Sequence, residues 1–201
     1  MSIENWEGII LSEVCIETVY FGKPGPENTA RTLEITQRRG DELAIDTILV
    51  ASTRGQTGAQ AAELLRNYNL VVVSHSTGFV EPNVQQLTEE NRTAIEAAGA
   101  TILTCQHAFG GVNRAVRKKL DTYLTDEIIA YTLRTFGEGM KVCLEISLMA
   151  ADAGLVTVGD PCIAVAGTGR GADTAVVLAP ANAQQFFDLR VMEILAKPRM
   201  L

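Results

Sequence analysis

The chain has 201 residues, 47% hydrophobic and 20% charged, which suits one domain with a sizeable core and excludes a disordered chain. Its net charge of −7 and 5% aromatic content argue against a nucleic-acid coat, an anionic-membrane binder and a base-stacking platform. A small anion held by local backbone amides stays within reach.

Residues 14–20 suggest an edge or companion strand, followed by a helix opened by Pro26. The run 45–51 is the first clear buried strand. It passes through Ser52-Thr53-Arg54-Gly55-Gln56-Thr57-Gly58 into a helix marked by Ala59, Ala62 and Leu65. Residues 70–75 form the second strand. Thr88 then suits an N-cap, Glu89 and Glu90 the first turn behind it, and Gly99 the stop. Residues 100–104 form the third strand.

From 112 to 153 the pattern is helical. Val112, Ala115, Val116 and Leu120 share one face; Thr125 caps a second helix; Val142, Ile146, Met149 and Ala153 mark a third, closed by Gly154. Residues 162–166 and 174–178 are the fourth and fifth strands. Seven residues between them are too few for a crossover helix, so the pair is an antiparallel hairpin. Periodicity leaves 189–196 open between strand and helix. The sum is a single α/β domain over 1–201, three-layered, with a mainly parallel sheet and a C-terminal antiparallel hairpin.

Ligands in such sheets sit beyond the carboxyl ends of the strands, where three unusual loops gather. The 52–58 loop (candidates Ser52, Thr53, Arg54, Gly55, Thr57 and Gly58) combines glycines, hydroxyls and a helix start, the parts of a phosphate cradle. It is neither a Walker A motif nor a GxGxxG fingerprint. A plain capped turn is the competing reading. The hairpin loop offers Gly167, Thr168, Gly169, Arg170, Gly171, Asp173 and Thr174 around an anion or a planar ring. The 20–29 loop offers Asn28 and Thr29. His75, Gly78 and His107 follow the second and third strands and border the same cleft.

The four cysteines, Cys15, Cys105, Cys143 and Cys162, lack metal-finger or CxxC spacing and read as reduced thiols. A nucleophilic pair of Cys105 with His75 or His107 is conceivable. No His, Cys and carboxylate grouping has metal spacing. With no basic-then-apolar leader and no apolar run near the roughly 20 residues that span a bilayer, a cytoplasmic location is expected, without membrane or nucleic-acid partners.

The stretches YFGKPGPENTARTLEIT, STRGQTG, VSHSTGF and AGTGRGADTAVVLAPANAQQFFDLRVMEILAKPR resemble the C-terminal α/β domain of pyruvate kinase. The resemblance is closer to stand-alone proteins of that type, and it runs from about residue 13 to the C-terminus. It implies a helical insertion at about 106–155, forming a layer or lid over the cleft. It also implies a phosphate-bearing ligand at the strand ends, flavin mononucleotide (FMN) foremost. Pyruvate kinase activity is not implied, since that reaction needs a (β/α)₈ barrel. The alternative is a non-catalytic regulatory module binding a sugar phosphate or nucleotide. A homo-oligomer is compatible with either.

Overall fold

A computed structural model describes residues 13–199. Seven strands form one sheet: β1 (Val19–Phe21), β2 (Thr47–Ala51), β3 (Asn69–Ser74), β4 (Thr101–Thr104), β5 (Cys162–Ala166), β6 (Thr174–Ala179) and β7 (Arg190–Pro198), in the spatial order β1-β7-β6-β5-β2-β3-β4. Neighbours pair in parallel except across β6, which runs antiparallel to both β5 and β7. The expected α/β class and hairpin are therefore present. Residues 14–20 supply only the short edge strand β1, and the undecided C-terminal segment is strand β7.

The central strands alternate with period two. Ile48, Val50 and Val72 join one core with Leu33, Leu65 and Ile95. Leu49, Val71 and Val73 join the other with Cys143, Leu148 and Met149. The first core lies under α1 (Thr29–Leu43), α2 (Gln56–Leu64) and α3 (Glu89–Ala97). A 3-10 turn, Pro26–Asn28, leads into α1. Thr88 caps α3 as expected, its Oγ1 accepting from the Asn91 N–H at 3.3 Å.

Among the described helices, α6 (Glu138–Asp152) covers most of the opposite face, with twelve of its fifteen residues buried. It crosses β2, β5 and β6, so it forms a core layer. The helices before it, α4 (Val112–Leu120) and α5 (Thr125–Arg134), stand at the rim, and α4 has no buried residue. The Thr125 cap is a correction. Leu124 holds the N-cap position without a side-chain bond, and Thr125 is already inside the helix.

The structure shows all four cysteines free. Burial raises the pKa of Cys162 to about 12 and pushes that of Cys143 up as well. No helix among the described residues is long and apolar enough to cross a membrane.

Gly139 sets how closely α6 approaches the sheet: a Cβ there would meet Thr174 Oγ1 at 2.2 Å and its Cβ at 2.5 Å. Alanine is the better helix former by about 1 kcal/mol. Overpacking costs about 1–3 kcal/mol and dominates here, because β6 cannot yield. Gly139→Ala is expected to lower unfolding free energy in urea titration; a stabilised variant would show that α6 sits less tightly.

Candidate functional site

The order β5-β2-β3 sets the site. From β2 the chain moves through α2 to β3 on one side, whereas it reaches β5, on the other side of β2, only after α6 on the opposite face. Loops leaving β2 and β5 therefore diverge, and a crevice opens between them at the carboxyl ends. A cavity of about 600 Å³ lies there.

Its wall brings together Ser52, Thr53, Arg54, Thr57, His75, His107, Gly167, Gly169, Arg170 and Gly171 from the expected set. The backbone of the first loop is arranged for an anion. Gly55 adopts φ +96° at the start of α2. The Gly58 N–H donates to Ser52 Oγ at 3.0 Å, and the Ala59 N–H to the Gly55 carbonyl at 2.8 Å. That leaves Gln56 and Thr57, both in the wall, to present the N–H groups that a helix start cannot satisfy internally.

The two histidines do share the cleft, with ring centroids 5.1 Å apart. His75 is held on both sides, Nδ1 lying 2.9 Å from Gln86 Oε1 and Nε2 3.2 Å from Thr53 Oγ1. With Gln86 as acceptor, the proton sits on Nδ1 and the Thr53 hydroxyl donates to Nε2. Phe79 packs against both rings, 4.1 Å from His75 and 4.9 Å from His107. Arg114 lies over Phe79 at 4.9 Å, a cation–π contact.

His107 is 9% exposed and accepts from the Ser76 N–H at 3.4 Å. Burial pulls its pKa down to about 4 against the opposing pull of Glu145, so the ring is neutral at pH 7.

Charge separates the cavity from the rest of the surface. Arg54, Arg114, Arg134, Lys141 and Arg170 face only Glu138 and Glu145, a formal excess of three positive charges in a chain of net −7. Arg134 pairs with Glu138 at 2.9 Å and Lys141 with Glu145. Among the described residues, Arg54, Arg114 and Arg170 have no carboxylate partner. Sequence reasoning missed Gln56, Phe79, Gln86, Arg114 and the four charged residues of α5 and α6. The one available signal was Lys141 and Glu145, a charged pair one turn apart in an apolar helix.

Other expected residues make contacts within the fold. Asn28 Nδ2 donates to the carbonyls of Lys23 and Gly25 at 2.9 and 3.3 Å, and Thr29 Oγ1 accepts from the Ala172 N–H at 2.9 Å. Asn28 thus closes its own loop, and Thr29 fixes the start of α1 against the hairpin loop. Asp173 is fully buried and ties two loops together, accepting from the N–H groups of Gly25 and Thr168 at 3.2 and 3.1 Å. Thr174, also fully buried, donates to its other oxygen at 2.8 Å. Thr168 keeps its hydroxyl buried without a partner, and Gly78 lies outside the wall.

Gly55 and Gly58 answer to packing. A Cβ at Gly55 would meet Asn91 Cβ at 2.4 Å, and one at Gly58 would meet Val72 Cγ1 at 2.6 Å and Ile95 Cδ1 at 3.0 Å. Gly58 thus lets α2 settle on the sheet, so Gly58→Val would strain the core before it touched any ligand. Cys105 lies outside the wall, and burial, then Asp152, raises its pKa. Neither fact favours the thiol-nucleophile reading. Among the described residues no group of three His, Cys, Asp or Glu could hold a metal ion.

The depressed His107 pKa makes stability pH-dependent. An unfolded histidine titrates near 6.5, so between about 4 and 6.5 the unfolded chain binds the extra proton. Stability from this group is full above pH 6.5 and falls as pH drops toward 4, by at most about 1.4 kcal/mol per pH unit. Urea unfolding at pH 6.5, 5.5 and 4.5 is expected to show a shallower slope for His107→Asn than for the unmodified protein. Equal slopes would mean a solvated ring.

The family model of the pyruvate kinase alpha/beta domain matches residues 30–178, which contain every cavity residue named above. With a sheet, hairpin and strand-end loops of the kind described, the chain belongs to the pyruvate kinase alpha/beta domain family.

Proposed function

We propose that the cavity binds a phosphate-bearing cofactor or effector, FMN foremost, with the phosphate at the 52–58 loop. The observation that carries this is the excess of positive charge in a cavity of an acidic protein. An anion there gains from Arg54, from Arg170 across the crevice and from the N–H groups that start α2. The volume is in the range of small-molecule sites. Beside that loop, Phe79 with the two imidazoles and Arg114 offers an aromatic, partly cationic wall suited to a ring system.

Bound FMN would supply hydride or electron transfer. The chain's own contributions are binding and orientation. Arg54 and the Gln56 and Thr57 N–H groups hold the charged end, and Gln86 and Thr53 hold the His75 ring in place from its two nitrogens. Neutral His107 adds a polar surface without adding charge. Free, buried thiols at Cys143 and Cys162 support a reducing, cytoplasmic setting.

The test compares FMN with riboflavin, which lacks the phosphate. FMN is expected to bind the unmodified protein the more tightly. Arg54→Ala should cost FMN about tenfold in affinity, the scale of one charged hydrogen bond, and leave riboflavin unchanged. Equal losses for both ligands would move the phosphate away from Arg54. A colourless protein stabilised by a sugar phosphate or nucleotide but not by FMN would identify a regulatory module instead.

A further inference from the structure

Helix α6 carries two charged side chains into a layer that is otherwise apolar. Lys141 is 5% exposed and Glu145 4%, and they form an ion pair one turn apart. Glu145 is pinned from its other side. Its Oε1 accepts from the Phe109 N–H at 3.1 Å, and His107 Nδ1 stands 3.9 Å from Oε2. Lys141 Nζ lies 5.8 Å from the Phe109 ring centroid. Both charged residues belong to the cavity wall. A buried ion pair gives a fold little, because desolvation offsets the Coulomb attraction and two apolar side chains would serve the layer as well. The pair's place in the wall, with a carboxylate fixed against an amine, is the arrangement of a reactive group and its proton partner.

We propose that Lys141 is a carbonyl-capturing amine that forms an imine with an aldehyde or ketone bearing an anionic group. The Lys141 ammonium passes a proton to the Glu145 carboxylate, and the freed lone pair attacks the carbonyl carbon. A C–N bond forms while the carbonyl π pair becomes a hydroxyl, taking the proton back from Glu145. The nitrogen then gives one proton through Glu145 to the hydroxyl, which leaves as water as the nitrogen lone pair forms C=N, so that the protonated imine remains beside the ionised Glu145. Ammonium and carbonyl compound give protonated imine and water, with no oxidant or reductant. Burial favours the neutral amine and lowers the Lys141 pKa against the pull of Glu145, and Arg134 and Arg114 push it the same way. The ligand's anionic group rests on the phosphate site proposed above; the amine does not.

Pyridoxal 5′-phosphate serves as probe and phosphate-free pyridoxal as its control, each followed by borohydride reduction and peptide mass spectrometry. Lys141 is expected to be modified at probe concentrations that leave the exposed Lys23, Lys118 and Lys119 unmodified, and about tenfold less readily by pyridoxal. Modification of the exposed lysines with Lys141 untouched overturns the proposal, and that result is independent of FMN affinity. Equal labelling of Lys141 by both probes supports the imine site and counts against the phosphate end of the cavity. Glu145→Gln should slow labelling at Lys141 about a hundredfold and leave Lys23 unchanged. An unchanged rate at Lys141 removes Glu145 from the step. The labelling of the unmodified protein decides the main claim even where that variant fails to fold.

Discussion

Burial of the central strands on both faces is the constraint from which the rest of the molecule follows. Ile48, Leu49 and Val50 are successive residues, all at 0% exposure, so consecutive side chains of one strand need cover above and below. Each large aliphatic side chain left in water would forgo about 1.5–3 kcal/mol. Three helices answer on one face, and on the other the load falls mainly on α6. That demand explains the apolar run of α6 and its close approach through Gly139. It also makes Lys141 and Glu145 the two residues that the packing requirement does not explain.

The same layering creates the cavity. Successive connections leave the sheet toward opposite faces on either side of the β5–β2 pair, and the loops cannot close over the gap between them. Into that gap project backbone N–H groups and guanidinium groups that the sheet itself does not use. The chain as a whole is acidic, so the positive excess in the cavity is a local reversal of the net charge. That reversal arises from where Arg54, Arg114 and Arg170 are placed.

Much of this was legible in the sequence, and the exceptions have physical causes. Near-continuous apolar runs identified β2, β3 and β5 because strands covered on both faces are apolar at almost every position. Seven residues between β5 and β6 admitted only a hairpin. β7 resisted because its register against β6 shifts twice, between Ala175 and Val176 and between Val177 and Leu178. Such shifts erase the period-two pattern. The packing role of Gly58 was not legible, because a glycine that admits a ligand and a glycine that admits neighbouring side chains look alike until Val72 and Ile95 are seen against it. Thr29 and Asp173 sat beside glycine-rich loops, and the partners that tie them down, Ala172 and Gly25, lie far off in the chain. Lys141 and Glu145 were visible as a spacing, but the same spacing marks ordinary solvent-facing pairs.

The Asp173 carboxylate joins Gly25 to the hairpin loop across 148 positions of sequence. A contact of that span is among the last a chain can make, because the entropy of closing so long a loop is recovered only once most of the structure between its ends is in place. Arg170 and the glycines around it take their positions from this closure. One bank of the cavity therefore comes into being only when the first and last parts of the domain meet. A partly folded chain with a finished sheet centre would still lack this cavity, so any molecule that fitted it would report that the domain has closed.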